Sequence, residues 1–115
     1  MSQPQTYYFV AASRKYLLET EPLQESLEER RRNYQVRHKP IDFWLVECPA
    51  FLDAPEFAAL KAKIPTPAAA VISTDPKLIT WLKLRLEFVA RGEFVAPSTS
   101  IPDPLASRQP CTPSS

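Results

Sequence analysis

Two cysteines, one histidine, a run of three arginines and an aspartate beside aromatics are the residues here with chemistry to offer. His38 stands between Arg37 and Lys39. Alone, it lacks the ligand partners that a zinc or iron site needs, and it reads as a solvated helix end. Cys48 and Cys111 are too few for a disulfide framework or a zinc site. Cys48 closes an apolar run and reads as a small buried hydrophobe, whereas Cys111, in a Pro/Ser-rich stretch, reads as incidental. Arg30, Arg31 and Arg32 suggest a phosphate grip, but Glu25, Glu28 and Glu29 precede them. That order places acids toward the positive end of a helix and bases toward the negative end, a dipole-matched solvated face. A chain with one glycine holds neither a G-x-x-x-x-G-K loop nor a G-x-G-x-x-G loop. One histidine excludes an H-E-x-x-H site and paired Glu-x-x-His ligands. No base–nucleophile motif surrounds the serines and threonines. The expectation is a protein without catalytic residues, metal or cofactor.

Bulk properties narrow the choice of partner. Lys plus Arg number 14 against 13 Asp plus Glu, a balance that offers nucleic acid no concentrated basic field. No apolar run approaches the roughly 18 residues needed to span a bilayer. Met1 to Gln5 lack the plan of a signal or transit peptide, so a soluble compartment is expected, with peripheral membrane contact left open. At 115 residues, 44% of them apolar, the chain is expected to form one domain over residues 1–107. Residues 108–115, rich in Pro and Ser, are expected to be a disordered tail.

The elements that would position any functional residue alternate along the chain. Residues 6–12 and 41–48 read as strands from their aromatic and β-branched content, and residues 68–74 as a third. In the second, Ile41, Phe43 and Leu45 point one way and Asp42, Trp44 and Val46 the other, so both faces are largely apolar and the strand is expected to be central. A helix is expected over 20–37, with Leu23, Leu27 and Tyr34 on its apolar stripe. A short helix is expected to start at Asp53, where Asp53 and Glu56 form a capping pattern, and to bury Phe57, Leu60 and Ile64. The third, over 76–91, opens on Asp75-Pro76 and stops at Gly92 as a left-handed cap. The fold class is therefore α+β: one small domain with a sheet of at least three strands, helices packed on it, and elements in the order β-α-β-α-β-α. Crossover helices favour parallel neighbours, although an extra hairpin strand would make the sheet mixed or antiparallel.

Arg85 does not fit this scheme. On a wheel of about 100° per residue it falls within a broad apolar arc that includes Leu78, Trp81, Leu82, Leu84, Phe88 and Val89. A guanidinium keeps its charge, so it must find a carboxylate, reach an opening or contact a partner. Asp42, on a strand face with Trp44 and Val46, poses the matching problem. An Asp42–Arg85 pair within the chain is one solution; a partner-facing site holding both is another, and the two can coexist. A helix on a sheet needs an apolar stripe of only about 100°, which leaves Trp81, Leu84 and Phe88 to cover something else.

The stretches YYFVA, LLETEP, EERRRNY, IDFWLV, PAFLDAPE, VISTD, WLKLRLEFV, GEFVAPS and IPDPLAS occur in this order over residues 6–107. Together they resemble the family known as hypothetical chloroplast reading frame fifty-four, of oxygenic phototrophs. The resemblance implies a non-catalytic accessory subunit of the oxygen-dependent magnesium-protoporphyrin IX monomethyl ester cyclase of chlorophyll synthesis. In that scheme the partner is the membrane-associated di-iron catalytic subunit. Asp42, Phe43 and Arg85 match the residues that the family uses to bind it, and the role of Phe43 rests on the resemblance alone. Trp81 and Phe88 join this expected partner surface from the wheel. A tetrapyrrole carrier that delivers substrate to the cyclase is the alternative function. A composition rich in Ala, Pro and Arg with a single Asn suggests a GC-rich gene. It favours a cyanobacterium over a plastid, with the protein cytoplasmic or peripheral at thylakoids.

Overall fold

The computed structural model describes residues 4–20, 23–64, 67–86, 89–99 and 101–106. Four strands, β1 (Gln5–Ser13), β2 (Phe43–Glu47), β3 (Ala68–Ser73) and β4 (Ala90–Ala96), form one sheet in the order β2-β3-β1-β4. Every neighbouring pair is antiparallel, with Val10 opposite Val71 and Arg91, and Leu45 opposite Val71. The α+β class stands, and the parallel crossovers favoured by the element order do not occur. The β1–β3 and β2–β3 pairs are antiparallel in themselves, and β4, which lay unseen within the expected last helix and the chain beyond it, adds a third antiparallel pair on β1. β2, expected to be central, is an edge strand whose two faces are nonetheless covered.

Small residues make this double covering possible. Ala11, Ala12, Ala69 and Ala70 lie at the centre of β1 and β3 and are fully or almost fully buried. On one face Val10, Ala12, Ala69, Val71 and Phe43 pack under helices α1 (Leu23–Val36) and α3 (Pro76–Arg85), which contribute Leu27, Tyr34, Leu78, Ile79 and Leu82. On the other face Phe9, Ala11, Ala70, Ile72, Phe94 and Ala96 pack under Phe51, Leu52, Phe57, Ile64 and Ile101. Period-2 alternation thus feeds two cores from each strand. Phe9 packs edge-on to Phe57 with ring centroids 5.4 Å apart, while Phe51 stacks on Phe94 at 4.7 Å.

Gly92 belongs to β4 and lies opposite Phe9, with no positive φ. It is not a helix cap. A Cβ there would meet Phe9 Cζ at 2.7 Å, so the absent side chain is what admits the Phe9 ring. The last helix ends at Arg85, since Leu86 is already extended at φ −107° and ψ 126°. Its start matches expectation: the Asp75 carboxylate accepts from the Lys77 amide at 3.0 Å and Pro76 fills the first turn.

The expected helix from Asp53 is replaced by two 3₁₀ turns, Ala50–Asp53 and Pro55–Phe57, and a single α-helical stretch, α2 (Ala58–Ala62). Asp53 caps none of them; its carboxylate meets Lys61. Pro55 follows an extended Ala54, and this Ala-Pro step breaks the run that the capping pattern suggested. The helix expected over 20–37 is α1, and a π-helical turn at Tyr16–Thr20, which was not expected, precedes it. α1 closes on His38 in left-handed backbone (φ 55°), with the Lys39 amide donating to the Tyr34 carbonyl at 2.8 Å. Cys48 also differs from expectation: it is half-buried and disulfide-bonded. Cys111 and the tail from residue 107 lie outside the described residues.

Candidate partner-facing site

The expected site residues fall into two groups at opposite ends of α3. Asp42 directly precedes β2. Its backbone carbonyl accepts from the Thr74 amide at 3.1 Å and from Ser73 Oγ at 2.8 Å, which fixes it beside the start of α3. Ser73, fully buried, also accepts from the Asp75 amide at 2.9 Å, and Asp75 in turn caps α3. The Asp42 side chain takes a different direction. It accepts from Tyr34 Oη at 3.0 Å and lies 3.9 Å from Lys39 Nζ, which itself sits 4.5 Å from the centroid of the Tyr34 ring. Asp42 thus joins the end of α1 to the start of α3 through one hydrogen-bonded chain. It stands outside the strand alternation because β2 begins one residue later.

Phe43 does not face solvent. It is completely buried, edge-on to Tyr34 with centroids 5.4 Å apart, which is the place of a core residue. An aromatic ring at the first inward position of an edge strand is drawn beneath the helix that covers it. What Phe43 can do is hold Tyr34, and through it the Asp42 carboxylate. Beside it, Leu27, Glu28, Arg31, Phe43 and Leu45 line an open groove of about 200 Å³ between α1 and β2.

Arg85 lies at the other end of α3, roughly 14 Å further along at the helical rise of about 1.5 Å per residue. The Asp42–Arg85 pair within the chain is therefore not formed. Arg85 is exposed, with its guanidinium carbon 5.4 Å from the centroid of the Trp81 ring. Among the described residues no carboxylate pairs with it. Trp81 is 46% exposed and Leu84, one turn on, 82%. Leu78, Ile79 and Leu82 take the buried side, so Trp81, Leu84 and Arg85 form an outward edge that the described residues leave exposed. Lys77 is also exposed, and α3 carries no acidic residue. Phe88, expected on the same surface, lies outside the described residues.

Sequence reasoning missed Tyr34 as a hydrogen-bond donor, assigning it to the apolar stripe alone. It does both, since a tyrosine can bury its ring and keep its hydroxyl at the margin. Among the described residues no group of three or more His, Cys, Asp or Glu side chains could hold a metal ion. None of their helices is long and apolar enough to cross a membrane.

Fold and site define a small α+β domain that presents an aromatic–cationic helix edge at one end of α3 and a hydrogen-bonded carboxylate at the other. The chain belongs to the Ycf54 family: the model of the Ycf54 protein matches residues 5–96. A Ycf54-like protein of Synechocystis is 59% identical over 102 residues, covering 89% of this chain and 77% of the relative. The chloroplastic YCF54 protein of Arabidopsis thaliana is 42% identical over 102 residues, covering 88% of this chain and 46% of its own. Among solved structures, a protein of Nostoc sp. PCC 7120 superposes with a TM-score of 0.90 at 63% identity, covering 92% of this chain and 98% of that one. The Synechocystis Ycf54 structure gives a TM-score of 0.87 at 56% identity, with 91% and 98% covered. Relatives thus occur in cyanobacteria and in chloroplasts.

Proposed function

We propose that the protein is a non-catalytic accessory subunit of the oxygen-dependent magnesium-protoporphyrin IX monomethyl ester cyclase, acting by binding the di-iron catalytic subunit. The observation that carries this reading is the outward edge of α3, where Arg85 lies over a half-exposed Trp81 beside Leu84. Arg and Trp are the residue types on which interface affinity concentrates, and the exposed Leu beside them is left uncovered by the described residues. The Asp42–Tyr34–Phe43 cluster supports the binding surface by fixing the ends of both helices. The protein works in the cytoplasm or at the thylakoid surface, carried there by its membrane-associated partner.

Mixing the purified protein with the purified catalytic subunit tests the proposal. A one-to-one complex is expected, and Leu84→Asp should lose it while retaining the wild-type melting temperature. Undiminished binding by Leu84→Asp, or no complex at all, refutes it. The tetrapyrrole carrier is the second reading, and the described groove beside β2, about 200 Å³ in volume, is below the usual size of a small-molecule pocket. Titration with the magnesium porphyrin distinguishes it, since a carrier would saturate at a fixed stoichiometry.

A further inference from the structure

The edge strand β2 has a backbone whose free groups can be assigned. The Asp42 carbonyl accepts from the Thr74 amide at 3.1 Å, and the Cys48 amide donates to the Ala68 carbonyl at 2.7 Å. Both bonds run toward β3, in the register that sets Leu45 opposite Val71. Hydrogen-bonded and non-hydrogen-bonded pairs alternate along an antiparallel ladder. Trp44 and Val46 therefore bond β3 as well, while Phe43 and Leu45 turn their amides and carbonyls outward. Among the described residues these outward groups meet no partner. The same two residues line the groove under α1, with Leu27, Glu28 and Arg31. A free strand edge and an apolar groove thus open at one place.

The residue types at this edge say what fits it. β2 reads Phe-Trp-Leu-Val-Glu, uncharged until Glu47. Pro40 and Pro49, which have no amide to pair, bound the run. At the opposite edge β4 carries Arg91 and Glu93, charges of the kind that discourage strand pairing. Glu28 and Arg31 are exposed at the groove, and among the described residues neither pairs with an opposite charge. An acid and a base one helical turn apart are complementary to their own copy turned about a two-fold axis.

We propose that β2 pairs antiparallel with β2 of a second copy about a two-fold axis at Leu45, joining the two sheets into one. Leu45 meets Leu45 of the second copy, and their outward amides and carbonyls bond each other. On the opposite face Trp44 falls across from Val46 of the second copy, and the axis repeats this aromatic–β-branched pair. Above the strands α1 runs antiparallel to its copy, so Glu28 of each chain faces Arg31 of the other. The axis consumes this edge of each chain, and association closes at a dimer. α3 packs over β1, β3 and β4 and takes no part, so the contact is separate from the proposed cyclase-binding edge.

The test is sedimentation equilibrium of the full chain, with a non-reducing gel to show that no disulfide links two copies. A monomer–dimer equilibrium with Kd of about 1–100 μM is expected for so short a contact. Glu28→Arg and Arg31→Glu should each weaken it about tenfold or more, because each makes both helix contacts like-charged. Mixing these two variants should restore the dimer, since their charges are complementary across the axis. The Leu45 amide should exchange with deuterium more slowly as concentration rises. Leu84→Asp, on α3, should dimerise as wild type does. A chain that stays monomeric throughout this range overturns the proposal, as does a mixture no more dimeric than either variant alone. So does Leu45 exchange that ignores concentration; if slow in the monomer, it would give the edge to another segment of the chain. Loss of the dimer in Leu84→Asp would place the contact on α3 and overturn it too.

Discussion

The Tyr34 hydroxyl donates to the Asp42 carboxylate at 3.0 Å, and by this contact the last turn of α1 is fastened to the entry of β2. The bond is only partly buried, and Lys39 approaches the same carboxylate at 3.9 Å, so its loss is shared. Tyr34→Phe should cost about 1 kcal/mol of stability, within the range for hydrogen bonds in proteins. In a cycle with Asp42→Ala, which removes the acceptor, denaturant melts should give a coupling of at least about 0.5 kcal/mol. Strict additivity would mean that the contact is not energetically real.

At Gly92 the expected cost is steric. A methyl group 2.7 Å from Phe9 Cζ must displace a ring that also packs on Phe51, Phe57 and Phe94. Gly92→Ala should therefore destabilise by about 1–3 kcal/mol, the usual range for overpacking a tight core. Adding Phe9→Leu should make the Gly92→Ala change cheaper than it is in the parent chain. Thermal melts of the four proteins check this, and equal costs in both backgrounds would place the strain elsewhere.

How much of this was legible beforehand depended on whether one periodicity excluded the other. β1 and β3 could be read because short apolar runs bounded by turn residues have few alternatives at their length. The start of α3 was equally plain, since Asp75 and Pro76 act locally. Its end was not. From Leu82 to Phe88 the chain alternates apolar and charged residues, a period-2 pattern that also populates a helical wheel broadly. The arc covering more than half the wheel was a sign that two patterns were being read as one. Gly92 seemed to confirm the longer helix, because a glycine admitted for a neighbouring ring looks in sequence like a glycine needed for its φ. The site was half visible. A cation amid apolar residues identified Arg85, but its separation from Asp42 depends on which end of α3 each occupies, and strand order decides that.

The Asp75 cap makes a local prediction. Its carboxylate serves the Lys77 amide, while its own amide is held by the buried Ser73. Asp75→Ala should cost about 1 kcal/mol, and Asp75→Ser much less, because serine restores a capping oxygen. Ser73→Ala should cost more than Asp75→Ser, because it strands the Asp75 amide and loses the link to the Asp42 carbonyl. Urea melts that rank the two variants in the opposite order would contradict the network.

Phe43 and Arg85 enter the proposed function together but should behave as opposites in solution. Phe43 is entirely buried against Tyr34, so Phe43→Ala opens a cavity and should cost about 3–5 kcal/mol of stability. Any loss of binding to the catalytic subunit should then track unfolding, and Phe43→Leu, which fills most of the volume, should recover both. Arg85 is exposed over Trp81 and pairs with no carboxylate among the described residues. Arg85→Ala should therefore leave the melting temperature within a few degrees of wild type. It should nonetheless weaken the complex by about 2 kcal/mol or more, roughly thirtyfold in Kd, as truncation of an interface arginine commonly does. Lysine at the same position keeps the charge but stacks poorly on indole, and should restore only part of the affinity. Melts and titrations on one set of purified variants separate the two behaviours. A strongly destabilised Arg85→Ala protein, rescued by Asp42→Asn, would return Arg85 to the interior and remove it from the binding surface.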